Sequence, residues 1–155
     1  MTQQYVDTRA YERLADEASA AVAGLADTQL RWKPAPGKWS ILEILSHLED
    51  HTLAQAFRIR KLISEPGAEL PSVNQDAWVE CLKANQGQVA DILSTIRAVL
   101  YSNAVVLRRV DAADWQKTGI HPNGNPVTLT DVVQGFVNHV HHHLQQIREL
   151  ASKAP

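Results

Sequence analysis

The sequence predicts an all-α protein, a four-helix bundle, on three observations. Apolar residues recur at helical spacing in four long stretches. Connections rich in proline, glycine and asparagine separate these stretches, and two of the stretches open on a hydroxyl residue followed three positions later by a carboxylate. No segment alternates apolar and polar residues over a length useful for a half-buried strand. Long helices joined by connections of uneven length pack as a bundle. Residues 1–155 read as a single domain, a usual size for one core without disulfide staples.

The first helix runs from about residue 8 to 25, with Tyr11, Leu14, Ala15, Ala18, Ala21, Val22 and Leu25 on one face and Gly24 near its end. Residues 31–38 contain Pro34, Pro36 and Gly37, a connection no helix crosses. Ser40 with Glu43 forms a capping box opening a second helix, whose apolar positions are Ile41, Ile44, Leu45, Leu48, Phe57, Ile59 and Leu62. That helix stops before Pro66-Gly67. The third starts near Asn74 or Asp76 and reaches Arg108 or Arg109, with a possible break around Gly87. A turn-rich connection covers residues 111–126. Thr128 with Asp131 then opens the last helix, which runs to about Ala151 with Val132, Val133, Phe136, Val140, Leu144, Ile147 and Leu150 as its stripe.

Composition excludes several classes of function. A formal net charge of −2 provides no basic surplus for nucleic acid. No uninterrupted apolar stretch approaches the length of a membrane span. Residues 1–7 have neither a positive start nor an apolar run, so no secretory signal is expected. The lone Cys81 fits a reducing cytoplasm and reads as a small hydrophobe near a helix start, not as a nucleophile.

The chemistry lies in the histidines. Four of the seven fall within five positions, His139, His141, His142 and His143. His139 and His143 are four apart and share a face on or beside the apolar stripe. Val140 interrupts the run, which is embedded in a periodic helix with twelve residues after it, so it is not an expression tag. On the second helix His47 lies next to Leu48 on the inward face, and His51 drifts toward the stripe's edge. Two imidazoles aimed at a core are costly unless partnered, and a transition metal is a common partner. An i, i+4 pair with a third inward histidine from another helix supplies the three nitrogens of an open zinc, nickel or iron site. The acidic residue of a HExxH protease is missing, since positions 140–142 are Val, His and His. His142 is an alternative donor to His139, or a base beside the site; the shared face of His139 and His143 favours that pair. Gln146 is the best-placed polar neighbour, Glu43 could reach His47 although it is claimed as a cap, and Trp32, Trp39 and Trp78 are candidates for a pocket mouth.

Residues 39–48, Trp-Ser-Ile-Leu-Glu-Ile-Leu-Ser-His-Leu, resemble the second-helix signature of the DinB/YfiT-like superfamily. The late segment from His121-Pro122-Asn123-Gly124 through Thr128-Leu129, followed by His139, His143, Gln146 and Ile147, is similar to that family's closing motif. The resemblance spans nearly the whole chain. It implies an up-down-down-up bundle, commonly dimeric, that holds a divalent metal, often zinc or nickel, on His47, His139 and His143. It also implies a small-molecule substrate, since studied relatives include transferases and isomerases using low-molecular-weight thiols. The chain departs from the family at Thr52, where relatives often carry an acidic residue, and in the doubled neighbours His141 and His142.

The expected function is therefore a metal-dependent enzyme of the thiol S-transferase type, or a related hydrolase, in which the metal activates a thiol or water. The alternatives are a non-catalytic metal-binding or stress-response protein, and an inert bundle whose histidines pair with buried polar groups. A DNA-binding role has no basic stripe or recognition helix to support it.

Overall fold

The computed structural model describes residues 6–155; the N-terminal reading of residues 1–5 lies outside them. Four long helices carry the fold: α1 (Thr8–Val22), α3 (Ile41–Ser64), α5 (Val89–Leu107) and α6 (Leu129–Lys153). Two short helices, α2 (Asp27–Arg31) and α4 (Gln75–Cys81), lie in the connections, with a hairpin of β1 (Thr118–Ile120) and β2 (Pro126–Thr128) before α6.

Side-chain pairs give the helix directions. Glu49 stands beside Thr95, and Arg60 donates to Asn103 and Ser102, so α3 and α5 run parallel. Asp16 pairs with Arg97 and Glu12 with Arg108, so α1 opposes α5. Tyr11 lies against Phe136 and Glu17 meets His141, so α1 and α6 run parallel. Gln55 donates to the Val132 carbonyl while His47 meets His139, so α3 and α6 are antiparallel. The order is up, down, down, up.

The core is the predicted set of stripes: Leu14, Ala18, Ile44, Leu48, Ile59, Ile96, Leu100, Val133, Val140 and Leu144 are all buried. Both capping boxes are formed. The Ser40 hydroxyl accepts from the Glu43 N–H at 3.1 Å and the Glu43 carboxylate accepts from the Ser40 N–H at 2.9 Å. Thr128 and Asp131 make the same reciprocal pair. Each box satisfies two amides that the first turn leaves without partners. One polar chain, exposed at Arg60 and buried at Asn103 and Tyr11, ties three helices, as Arg60 donates to Asn103 Oδ1 and Asn103 Nδ2 donates to the Tyr11 hydroxyl.

The third stretch breaks as expected around Gly87, and it does so over residues 82–88: Lys83 takes a left-handed conformation (φ 54°), which ends α4 and begins a short 3-10 turn that Gly87 closes before α5. Several expectations change. Phe57, read as core, is 60% exposed, because it faces away from the α3 seams. Cys81 is exposed at the last residue of α4, not packed near a helix start. The turn-rich segment contains the hairpin, whose three-residue strands are too short to show a period. α5 has the length and mean hydropathy (1.3) of a membrane span, contrary to the reading of the bare sequence, yet Ile92, Ile96, Leu100 and Leu107 pack into the bundle.

Candidate metal centre

The α3–α6 seam gathers the inward histidines. His47 sits less than two turns inside the capped start of α3 and is 0% exposed. Its Nε2 lies 3.3 Å from Nε2 of His139. Nε2 of His143, one turn further along α6, lies 3.2 Å from the same His139 nitrogen. An imidazole nitrogen has one in-plane orbital, holding either a proton or a lone pair. The His139 nitrogen therefore cannot make two good hydrogen bonds.

The His143 tautomer follows from its neighbour. Its Nδ1 faces Gln146 Oε1 at 2.9 Å, and an amide oxygen only accepts. The proton therefore sits on Nδ1, and Nε2 presents its lone pair to His139. Nδ1 of His47 and Nδ1 of His139 are buried without a hydrogen-bond partner.

His51, placed by the sequence at the stripe's edge, comes inside. Its ring is 4.5 Å from that of His47 and stacks on His139 at 4.3 Å with a 25° tilt. Two triplets thus share His47 and His139. With His51, each residue offers a nitrogen within 4.8 Å of the others. With His143, the two Nε2 contacts are the 3.2 and 3.3 Å separations above.

Burial sets the electrostatics. It pulls the His47 pKa down to about 3, reinforced by His51, His143 and His139. Burial likewise lowers His139 to about 3 and His51 to about 4, and it lowers His143 against the opposing hydrogen bond to Gln146. The cluster is neutral at ordinary pH, with nitrogen lone pairs crowded against one another. This donor set fits a borderline transition metal. Nitrogens bound at about 2.1 Å to one tetrahedral or octahedral cation stand about 3.0–3.4 Å apart, the range of the two closest contacts here.

A pocket of about 230 Å³ opens beside the cluster, lined by His51 and His139 together with Gln55, Arg58, His121 and Phe136. A larger hollow of about 760 Å³ lies between α1 and α5, but no histidine lines it and its Asp16 and Glu12 are paired with Arg97 and Arg108. Chemistry, not size, marks the smaller one.

The remaining candidates are placed as follows. Gln146 contacts His143 as expected from its position. Glu43 does not reach His47; it caps α3 and pairs with Lys33 at 2.9 Å. The Trp39 ring packs 4.9 Å from that of His47, while Trp32 is half-buried in the connection and Trp78 is exposed on α4. His141 is exposed and bonded to Glu17 at 2.7 Å, and the ring of exposed His142 is 5.2 Å from that of His143. Gln55 and Arg58 escaped the sequence reading. Their signal was spacing: positions 51, 55 and 58 continue the face of His47 at intervals of four, four and three.

Comparison with known proteins agrees with this geometry. A sequence profile of the DinB superfamily matches residues 10–147. The chain is 22% identical over 134 residues to YfiT of Bacillus subtilis (strain 168), covering 86% of this chain and 75% of YfiT. It is 25% identical over 146 residues to a protein of Geobacillus thermodenitrificans (strain NG80-2), covering 93% and 82%. Both relatives carry the name "putative metal-dependent hydrolase". The solved structure of Bacillus subtilis YfiT, described as an unusual four-helix bundle, superposes with a TM-score of 0.89 at 19% identity, over 99% of this chain and 92% of that one. A mycothiol-dependent maleylpyruvate isomerase shares the fold at a TM-score of 0.70 and 10% identity, over 92% of this chain and 61% of that one. Metal-dependent relatives and a cluster of neutral imidazoles together indicate a divalent metal as the cofactor. The chain belongs to the DinB superfamily.

Proposed function

We propose that this chain is a divalent-metal enzyme in which His47, His139 and His143 hold the ion, zinc or nickel, and a small molecule reacts in the adjoining pocket. The observation that carries this reading is the meeting of three Nε2 atoms, 3.3 and 3.2 Å apart, beside that pocket. His143 is preferred to His51 because Gln146 already fixes its tautomer with Nε2 free. When bound, such an ion lowers the pKa of a coordinated thiol or water and polarises a substrate oxygen.

The chain's own residues do the rest. Gln146 holds the proton on His143 Nδ1 and so keeps its ring oriented. Burial keeps all the imidazoles unprotonated, so none competes with a cation. Trp39 covers the His47 side, and Phe136 gives the pocket an apolar wall. The acidic side chain lining the pocket is Asp131, and its carboxylate is engaged in capping α6. A nucleophile that sheds its proton easily suits this setting better than one needing a strong protein base. The substrate we assign is therefore a low-molecular-weight thiol transferred onto a small electrophile. The names of the curated relatives favour water instead, which would make the chain a hydrolase. Exposed Leu53 and Phe57 on α3 and Tyr101 on α5 support a homodimer, and the lone reduced cysteine supports a cytoplasmic setting.

Turnover by tag-free, metal-loaded protein decides between these readings. Bacillithiol, mycothiol and glutathione are each offered with a panel of electrophiles, beside ester and amide substrates without thiol. Thiol-dependent turnover abolished by a chelator is the expected result. Turnover without thiol makes it a hydrolase. Metal binding with no turnover across both panels leaves a metal-binding protein.

A further inference from the structure

The pocket beside the histidines holds a cation that the metal reading does not use. Arg58 is half-buried on α3, three turns along the face of His47. Its Nε and Nη2 donate to a single acceptor, the Pro71 carbonyl, at 3.0 and 2.8 Å. Among the described residues no carboxylate pairs with it, and Nη1 has no protein partner. Nη1 is not among the buried atoms that lack a partner, so this donor stays accessible in the pocket that Arg58 lines, and a half-buried guanidinium without a counter-anion attracts one.

The surrounding chain holds this guanidinium in place. The backbone carrying Pro71 is fastened to the hairpin, with Leu70 N–H donating to the Ile120 carbonyl and Ile120 N–H to the Ala68 carbonyl. Gly119 permits that close approach, since a Cβ there would stand 3.2 Å from Leu70. The hairpin also delivers His121 to the same pocket. Nδ1 of His121 accepts the Asn123 N–H at 3.1 Å, so in the neutral ring the proton lies on Nε2. Arg58 and His121 therefore bring two kinds of N–H donor to the pocket that His51 and His139 also line.

We infer that this pocket contains an anion subsite, and that Arg58, assisted by His121, binds a carboxylate of the substrate so that its reacting end lies toward the histidine cluster. A carboxylate fits better than a phosphate. The subsite offers one guanidinium and one imidazole donor, and the acidic side chain of Asp131 on the same wall disfavours a doubly charged anion more than a singly charged one. A guanidinium is the side chain best shaped for a planar carboxylate. At about 230 Å³ the pocket takes a small acid, not a peptide or a nucleotide. As a substrate subsite the assignment rests on the metal-enzyme reading above; as a carboxylate site it stands without it.

The test uses metal-free, full-length protein, so that anion binding is read independently of any ion. Propionate, 3-phenylpropionate, 3-phenylpropionamide and inorganic phosphate are titrated while amide and Arg side-chain resonances are followed by NMR. The acids are expected to shift the Arg58 Nε–H signal and to bind at least tenfold more tightly than the amide or phosphate. R58Q should weaken acid binding at least tenfold, with metal content after reloading unchanged. R58K should fall between, and it supplies the comparison if R58Q does not fold. His47→Ala should lose metal and keep acid binding. Equal binding of acid and amide, unchanged acid affinity in R58Q or R58K, tighter binding of phosphate, or no binding of either acid overturns the subsite. Loss of the metal reading shows separately, as wild-type protein that takes up no metal but still binds the acids.

Discussion

Nε2 of His47 on α3 lies 3.3 Å from Nε2 of His139 on α6, although 92 positions separate them in the sequence. Neither ring has a partner for its buried Nδ1. Two desolvated neutral imidazoles so placed lose hydrogen bonds to water and regain little from each other. A shared cation turns that cost into a binding site.

Gln146 is the simplest place to test how the site is tuned. Its amide oxygen holds the proton of His143 Nδ1 at 2.9 Å. Gln146→Leu frees that ring to change tautomer and orientation. We expect metal affinity, measured by chelator competition, to fall about 10–100-fold with the fold intact. An unchanged affinity would mean that His143 is not oriented through this contact.

Protonation should destabilise the metal-free protein from the acid side. Burial holds His47 and His139 at about 3 and His51 at about 4, against about 6.5 in an unfolded chain. The folded values are the lower ones, so below about pH 6.5 the unfolded chain binds protons that the fold refuses. Stability is then full above about pH 7 and falls toward pH 4, by up to about 1.4 kcal/mol per pH unit for each histidine kept neutral. Melting curves at pH 7.5 and 5.0 should show the drop, and His47→Gln should reduce it. The same pH slope in the variant would contradict the assignment.

The polar chain from exposed Arg60 through buried Asn103 to Tyr11 carries stability, not chemistry. Asn103→Ala leaves the buried Tyr11 hydroxyl without its partner, while exposed Arg60 keeps the Ala56 carbonyl and Ser102. We expect a loss of about 1–3 kcal/mol in urea unfolding. Metal content should not change, and a change would couple this end of the bundle to the site.

The start of α3 fixes where His47 lies. Ser40 is fully buried, caps the helix, and donates to Asn85 Oδ1 at 2.6 Å. Ser40→Ala removes both interactions and should cost about 1–2 kcal/mol, read as a lower midpoint in denaturant. A neutral substitution would show that the box is dispensable.

The parts of this site differ in how legible they were. His139 and His143 are visible in the sequence because a spacing of four on an apolar stripe is a local property. His47 is visible because the Ser40–Glu43 box sets the phase of its helix. His51 reads as peripheral from its own helix, and only the antiparallel crossing of α6 brings His139 over its ring. Arg58 and Gln55 escape a reading of the sequence because their burial depends on the Pro71 segment and on Val132, which are distant in sequence. The same distinction governs the fold. Caps and stripes fix the four long helices, whereas the hairpin depends on its pairing with residues 68–70, and the exposure of Phe57 on the packing order of the bundle.

Metal content of tag-free protein, measured for the wild type and for single alanine variants of His47, His139, His143, His51 and His142, tests the central claim most directly. The account predicts close to one divalent ion per chain in the wild type. It predicts loss of the ion in the first three variants and retention in His51→Ala and His142→Ala. A wild type that binds no metal, or a site that survives His143→Ala and is lost in His51→Ala, would contradict it.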